Sequence, residues 1–426
     1  MTNYLLAILP AGILLLVLFF GNTQGLYDTP LFKMMFRMYE LMSSFAFLWG
    51  PLLFGWLAQH LWLEYKQMRY VRKSFYPFIL LEIKVPREIN KTPLAMEIAM
   101  HAFDRGPSGN WWEQWWDGKC RPWFSLEIAS IEGSVKFFIY TPQKFKHDIE
   151  ANLFGQYPDI EIHEAKDYVG LSPYLHERKD WEMAGCTFSC TKPDPYPIKT
   201  YVDYGLDSTQ TKEEMKSDPI SSVIEYMGGI GRGEYMWLQI GIQKTGNRFS
   251  TSGTWFGHHD WKEEGKKVVK ELQEKYAGEV GTRATKRQAD VISAIEKSLG
   301  KPGFDSSIRA IYVARKEHFD RSRTGGIRDL LNPYSTHDLN GFRSHGLFPD
   351  YPWEDFNDIF LNRRKRKLFD GYTRRSFFFP PYRMRKFVLN TEELATLFHF
   401  PGGVTETPTF GRIGSRKGEP PANLPI

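Results

Sequence analysis

Residues 78–85 read Phe-Ile-Leu-Leu-Glu-Ile-Lys-Val. In an extended chain Ile79, Leu81, Ile83 and Val85 point one way while Leu80, Glu82 and Lys84 point the other, the period-two signature of a strand packed on one side. A helix is predicted next: Thr92 can cap it, Pro93 suits its first turn, and Leu94, Ala95, Ile98, Ala99 and Ala102 make an apolar stripe. Phe124, Leu126 and Ile128 then alternate, Glu132-Gly133 can turn the chain, and Val135, Phe137 and Ile139 alternate back as a hairpin. A second amphipathic helix, from about Pro142 to Phe154, carries Phe145, Ile149 and Leu153, and Ile160 with Ile162 suggests a closing strand.

That order, βαββαβ, implies two helices on one face of an antiparallel sheet, a ferredoxin-like α+β module. The second half repeats it in residue order as well as element order. Asp218-Pro219 opens a helix as Thr92-Pro93 does. Tyr235-Met236-Trp237-Leu238-Gln239-Ile240 echoes Trp123-Phe124-Ser125-Leu126-Glu127-Ile128, and Ile308 to Val313 followed by Phe319 echoes Val135 to Tyr140 followed by Phe145. Trp181 to Lys192 supplies the first strand of this copy, and charged helices near Lys262–Tyr276 and Thr285–Leu299 are inserted between its middle strands. Residues 321–352, rich in Gly, Asn, Pro, Ser and His, read as loop.

Leu41 to Leu63 contain no Asp, Glu, Lys or Arg and are followed by Glu64, Lys66, Arg69, Arg72 and Lys73. About 20 apolar residues cross a hydrocarbon layer of about 30 Å, so this run is expected to span a membrane. The cationic flank then assigns residues 64–426 to the cytoplasm. Tyr4 to Phe20 reads as a first span, with the amino terminus inside. A cleaved signal peptide is the rival, though the stretch lacks a basic leader and an A-x-A site. The expected layout is a transmembrane hairpin with its basic flank at 1–73, a first module at 74–175, a second at 176–350, a basic helical connector at 351–400 and a Pro/Gly-rich tail at 401–426.

A chain of 426 residues that is 42% hydrophobic and 25% charged has room for two or three globular domains. Its net charge of only +5 confines any nucleic-acid role to local patches. Cys120, Cys186 and Cys190 form no CxxC pair, which argues against a disulfide framework or a zinc knuckle, and Cys186 and Cys190 share a strand face as buried thiols. No phosphate cradle GxxxxGK[ST] occurs: Gly228-Gly229-Ile230-Gly231-Arg232-Gly233 precedes a strand rather than opening a helix, and Gly278 to Lys286 fails the same spacing. His258-His259-Asp260 reads as a surface loop, because adjacent histidines diverge in any regular structure. There is no G-x-S-x-G elbow. The residues therefore nominate no catalytic group, cofactor or metal.

Two stretches are candidates for binding. Across 363–386, Arg363, Arg364, Lys365, Arg366, Lys367, Arg374, Arg375, Arg383, Arg385 and Lys386 face one acid, Asp370. Interleaved with Tyr372, Phe377, Phe378 and Tyr382, these cations suit phosphate contact with stacking, contact with anionic lipid, a solvated helix face, or contact with acidic protein. Trp111, Trp112, Trp115 and Trp116 are too aromatic for an ordinary loop. They suit either the headgroup layer or packing on a neighbouring domain or subunit.

Phe387 to Pro401, FVLNTEELATLFHFP, resembles the segment leading into the motor domain of type IV secretion and conjugation ATPases of the coupling-protein kind, especially membrane-anchored versions from candidate-phyla bacteria. Leu81 to Glu88, Pro93 to Glu97, Tyr157-Pro158-Asp159 and Lys301-Pro302-Gly303-Phe304 look similar too. The Walker motifs that follow this segment in such ATPases do not occur in the chain, so the resemblance implies the non-motor part only. In that reading Thr391, Glu392, Glu393, Leu394, Leu397 and His399 form a docking connector. The function implied is a non-catalytic, oligomeric, membrane-anchored scaffold that docks a separately encoded secretion ATPase or its DNA–protein cargo. The alternatives are a membrane-tethered nucleic-acid-binding protein using 363–386, and an enzyme with an unrecognised site between the modules.

Overall fold

The computed structural model describes residues 30–86, 89, 91–106, 109–172, 174, 180–207, 218–247, 249–250, 258–277, 285–347 and 358–402. They belong to two compact units, Met1–Tyr65 and Lys66–Ile426. The first span expected at Tyr4 to Phe20 and nearly all of the tail expected at 401–426 lie outside the described residues.

The first unit holds helix α1 (Pro30–Ser44) and most of α2 (Ala46–Ser74). The uninterrupted span expected at Leu41 to Leu63 is corrected here, because the helix breaks at Phe45. The Ser43 and Ser44 hydroxyls donate back to the Glu40 carbonyl at 2.9 and 2.8 Å, and the Trp49 indole donates to the Met42 carbonyl at 2.8 Å. Serine hydroxyls that bond into the preceding turn compete with the helix ladder and bend it. Among the described residues no single helix is long and apolar enough to cross a membrane. Phe36–Ser44 and Ala46–Ser74 pass that test together, bent by 76°. Their apolar side chains are open, with Phe47, Leu52 and Phe54 each more than 70% exposed.

The second unit is mixed α+β, built on an antiparallel sheet. Its first half runs β1 (Phe78–Lys84), α3 (Pro93–Met100), α4 (Trp111–Trp115), β2 (Phe124–Ile131), β3 (Ser134–Pro142), α5 (Lys146–Gln156) and β4 (Glu161–Ala165). The second half runs β5 (Trp181–Cys190), α6 (Pro219–Gly228), β6 (Glu234–Lys244), a small ladder of β7 (Phe249–Ser250) with β8 (His258–His259), α7 (Trp261–Ala277), α8 (Lys286–Leu299), β9 (Gly303–Arg315), α9 (Ser322–Asp329) and β10 (Phe342–Gly346). Then come α10 (Ile359–Thr373), β11 (Phe387–Asn390) and α11 (Thr391–Leu397).

The nine-stranded sheet has the order β10-β5-β9-β6-β2-β3-β1-β4, with β11 also paired to β9. Within each half the strands lie fourth, first, third, second, and β2 pairs with β6 from Phe124↔Ile242 to Ile131↔Tyr235. The boundary expected at 175/176 therefore falls within one sheet rather than between two bodies. The boundary expected at 73/74 also moves, since Lys66 onward belongs to the sheet unit. Residues 321–352 were expected to be loop, yet they contain α9 and the edge strand β10. An edge strand as polar as Phe342-Arg343-Ser344-His345-Gly346 shows too little alternation to announce itself. The Glu132-Gly133 turn is as expected, with positive φ at both residues (52° and 89°), the requirement of a tight hairpin.

Period two divides the strands between two cores. Leu81, Leu126, Phe137, Leu238 and Ile308 face α3, α5, α6 and α11. On the opposite face Leu80, Ala129, Phe138, Trp237 and Ile311 pack with Leu368, Phe369 and Tyr372 of α10. A satellite cluster of Phe75, Trp123 and Phe377 seats the end of α2 beside the segment that follows α10. The stripe expected on α3 is rotated: Ala95, Met96, Ala99 and Met100 are buried, while Leu94 and Ile98 are 46% and 45% exposed. An almost wholly apolar helix does not specify which side turns inward.

One glycine is decisive. A Cβ on Gly241 of β6 would sit inside the van der Waals envelope of the Phe377 ring, itself 1% exposed. Gly241→Ala is expected to cost about 1–3 kcal/mol through overpacking. Chemical denaturation measures it, and an unshifted midpoint would show that Phe377 is free to move.

Candidate functional site

The fold divides the basic stretch. Leu368, Phe369 and Tyr372 turn one side of α10 to the sheet, so helical spacing leaves Arg363, Arg364, Arg366 and Lys367 exposed on the other. Lys365 is held against Glu182 at 2.5 Å, Arg374 against Asp370 at 2.9 Å, and Lys386 against Asp305 at 2.7 Å. Arg383 and Arg385 are exposed, and Arg383 donates to Gln67 Oε1 at 3.4 Å. Arg375 is the correction. Expected among the phosphate-binding cations, it is 2% exposed and turned inward.

Its target is a polar row crossing the centre of the sheet. Glu127 of β2 lies opposite Gln239 of β6, which lies opposite Arg309 of β9. The wholly buried Glu127 carboxylate accepts from Arg375 Nε and Nη2 (3.1 and 3.2 Å), Gln239 Nε2 (2.7 Å) and Tyr168 OH (2.8 Å). Tyr168 has spent its proton there, so Tyr372 OH donates to Tyr168 at 2.6 Å. Arg375 also grips Asp167. Burial alone would lower its pKa, but the charge of Glu127 and the bond to Asp167 hold it well above the ordinary range. Arg309 donates to Gln239 Oε1 at 2.6 Å and to the Ser376 carbonyl at 3.1 Å, with its guanidinium 4.2 Å from the centre of the Phe377 ring. Sequence reasoning aligned Glu127 with Gln239 as repeat equivalents. Their pairing was the missed consequence.

The expected docking connector is likewise internal. β11 pairs with β9 through Phe387↔Ser306 to Asn390↔Gly303. Asn390 caps α11 reciprocally: its side chain accepts from Glu393 N, and Glu393 Oε2 accepts from Asn390 N, both at 2.8 Å. Thr391, Glu392, Glu393, Leu394, Leu397 and His399 are all 5% exposed or less. Leu394 and Leu397 join the core. Lys301 bridges Glu392 and Glu97 at 2.6 and 2.5 Å, Thr200 donates to Glu392 at 2.5 Å, and Thr391 donates to Glu97 at 3.3 Å. His399 Nδ1 donates to the Ala395 carbonyl at 2.8 Å, and Nε2 approaches Asp218 at 3.3 Å. These side chains are committed to the body, so the folded segment offers a partner no free handle.

Residues 113–412 match the family model DUF8128, a domain of unknown function. The chain belongs to the DUF8128 family. No curated protein matches it. The DUF8128 match begins within α4, so β1 lies before it, yet the sheet places β1 between β3 and β4.

Inside the DUF8128 region a cleft of about 560 Å³ is lined by Lys199, Asp203, Lys286, Arg287, Asp290 and Asp338, and Arg287 bonds Asp338 across it. Its cations and carboxylates balance, which selects no ligand charge. Among the described residues no group of three or more His, Cys, Asp or Glu could hold a metal. His259, expected in a surface loop, is instead 4% exposed in β8 with Nε2 2.7 Å from Glu264. Burial pushes the Cys120 and Cys186 thiols up to about 12, which favours their neutral form. Trp112, Trp115 and Trp116 are 59%, 48% and 47% exposed, and α4, which Trp111 opens, ends near Gly118, whose α-carbon abuts the backbone of Lys66 and Gln67.

Proposed function

We propose that this DUF8128 chain is a membrane-anchored, non-catalytic scaffold, built from two ferredoxin-like modules joined edge to edge, that serves a type IV secretion-like translocation apparatus at the bacterial inner membrane. The observation that carries the anchoring is the exposed apolar pair α1 and α2, whose last turns bear the exposed cations Arg69, Arg72 and Lys73. The strand order fourth-first-third-second in each half supports the modular reading. Buried carboxylates spent on internal ion pairs, Glu127 on Arg375 and Glu392 on Lys301, support a structural use of charge. The secretion apparatus rests on the resemblance of Phe387 to Pro401, now as a shared core element rather than a docking handle.

Protease accessibility tests the anchor and its sidedness. Residues beyond Lys73 are expected to be cut in inverted membrane vesicles and protected in intact cells; cutting from outside the cell overturns the assignment. Full-length protein in lipid nanodiscs is expected to show no ATP turnover, and robust hydrolysis ends the non-catalytic reading. Photo-cross-linkers at the exposed positions Leu94 and Ile98 are expected to reach a motor-domain ATPase of the same apparatus. Labelling confined to unrelated proteins removes the secretion assignment.

A further inference from the structure

The carboxyl-terminal end of α2, the tryptophan helix and the basic helix all belong to the sheet unit. Tyr70, Val71 and Phe75 pack with Trp123, Phe377 and Met384. Phe377 lies over Gly241, on the face that also carries α10. Gly118 abuts Lys66 and Gln67, and Arg383 reaches Gln67. The exposed indoles of Trp112, Trp115 and Trp116 therefore lie a few residues along the chain from Gly118, which meets Lys66 and Gln67 at the start of the sheet unit. Further along the same face, α10 shows Ile359 and Phe360 at 62% and 58% exposure beside its four exposed cations.

From this placement we infer that α4 and α10 form a second, peripheral contact with an anionic phospholipid bilayer. The inference rests on the anchoring proposed above. Indole rings favour the headgroup layer, and a helix with apolar residues at one end of an arginine-rich face suits an anionic surface. Charge complementarity fixes the lipid class: among the described residues Arg363, Arg364, Arg366 and Lys367 pair with no acid, and Asp370 is taken by Arg374. Continuity with α2 favours a bilayer over nucleic acid, because a surface anchored there meets lipid at high effective concentration.

Hydrogen exchange on the full chain in nanodiscs tests this. Peptides covering residues 111–118 and 359–374 are expected to be protected in discs containing phosphatidylserine relative to discs of phosphatidylcholine alone, with the α10 protection lost at high salt. A variant carrying R363Q, R364Q, R366Q and K367Q should enter the discs as before and lose that protection by about tenfold or more. Identical exchange in the two lipids overturns the inference while leaving the anchor intact. Protection of α10 by single-stranded DNA but not by phosphatidylserine also overturns it, in favour of nucleic acid. Failure of the wild-type chain to enter either disc overturns the anchoring reading itself, and this contact with it.

Discussion

Arg375→Met is expected to lower the stability of the sheet unit by about 3–5 kcal/mol, the range for removing one partner of a buried ion pair. The methionine retains much of the packing volume but leaves Glu127, 0% exposed, without the guanidinium that supplies two of its four hydrogen bonds. Stability of a domain is about 5–15 kcal/mol in all, so the loss is a large share of the total. The neighbouring Arg374→Met supplies the contrast. Its partner Asp370 is four residues back on an exposed helix face, a pair worth about 0.3–0.5 kcal/mol. Adding Glu127→Gln to Arg375→Met is expected to restore part of the loss, because it removes the unpaired charge. Urea unfolding followed by tryptophan fluorescence reads all three. If positions 374 and 375 responded alike, the row Glu127–Gln239–Arg309 would not be organising the centre of the sheet.

The second large effect is a fall in stability toward alkaline pH, centred on α11. Burial pushes Glu393 from 4.5 up to about 8, against the two backbone amides of Asn390 and Ile198 that favour its ionised form, with Glu392 and Asp194 adding repulsion. For His399, burial would lower the pKa from 6.5, but the charge and hydrogen bond of Asp218 and the Ala395 carbonyl raise it. Both folded-state values lie above the unfolded ones, so the folded chain holds the extra protons. The Glu393 contribution is fully present below 4.5 and is lost as pH rises through about 8. The His399 contribution is fully present below 6.5 and is lost as pH rises through its higher folded value. Each proton contributes a slope of up to about 1.4 kcal/mol per pH unit within its window. Hydrogen exchange of residues 387–400 should speed up as the pH rises through that range, after correction for intrinsic exchange. Glu393→Gln should flatten the acidic part of the dependence, and an unchanged slope would remove Glu393 as its source.

Glu393 and Arg375 show where reading residues in order succeeds and where it stops. Asn390 and Glu393 stand three apart ahead of an apolar run, a capping-box pattern that the docking-connector reading passes over, although such a start is legible in local sequence. That the helix would be buried against α3 and α6 is not. Burial there depends on Lys301 and Thr200, which lie far from Glu392 in the chain. The same holds for the basic stretch. A count of cations cannot separate Arg374 from Arg375, since one residue of rotation decides between solvent and Glu127.

Period-two alternation and the repeat of Trp123 to Ile128 in Tyr235 to Ile240 determined the β-strands at the heart of each half, because strand patterning is local and each strand has one side to bury. The inserted helices α7 and α8 and the Glu132-Gly133 turn were fixed in the same local way. Only the tertiary structure decided that β2 and β6 join the halves into one sheet and that Phe387 to Phe400 closes onto it. Those outcomes turn on which edges pair and which polar groups find partners across hundreds of residues. Such pairings are set by three-dimensional competition for burial, and composition and spacing carry no record of it.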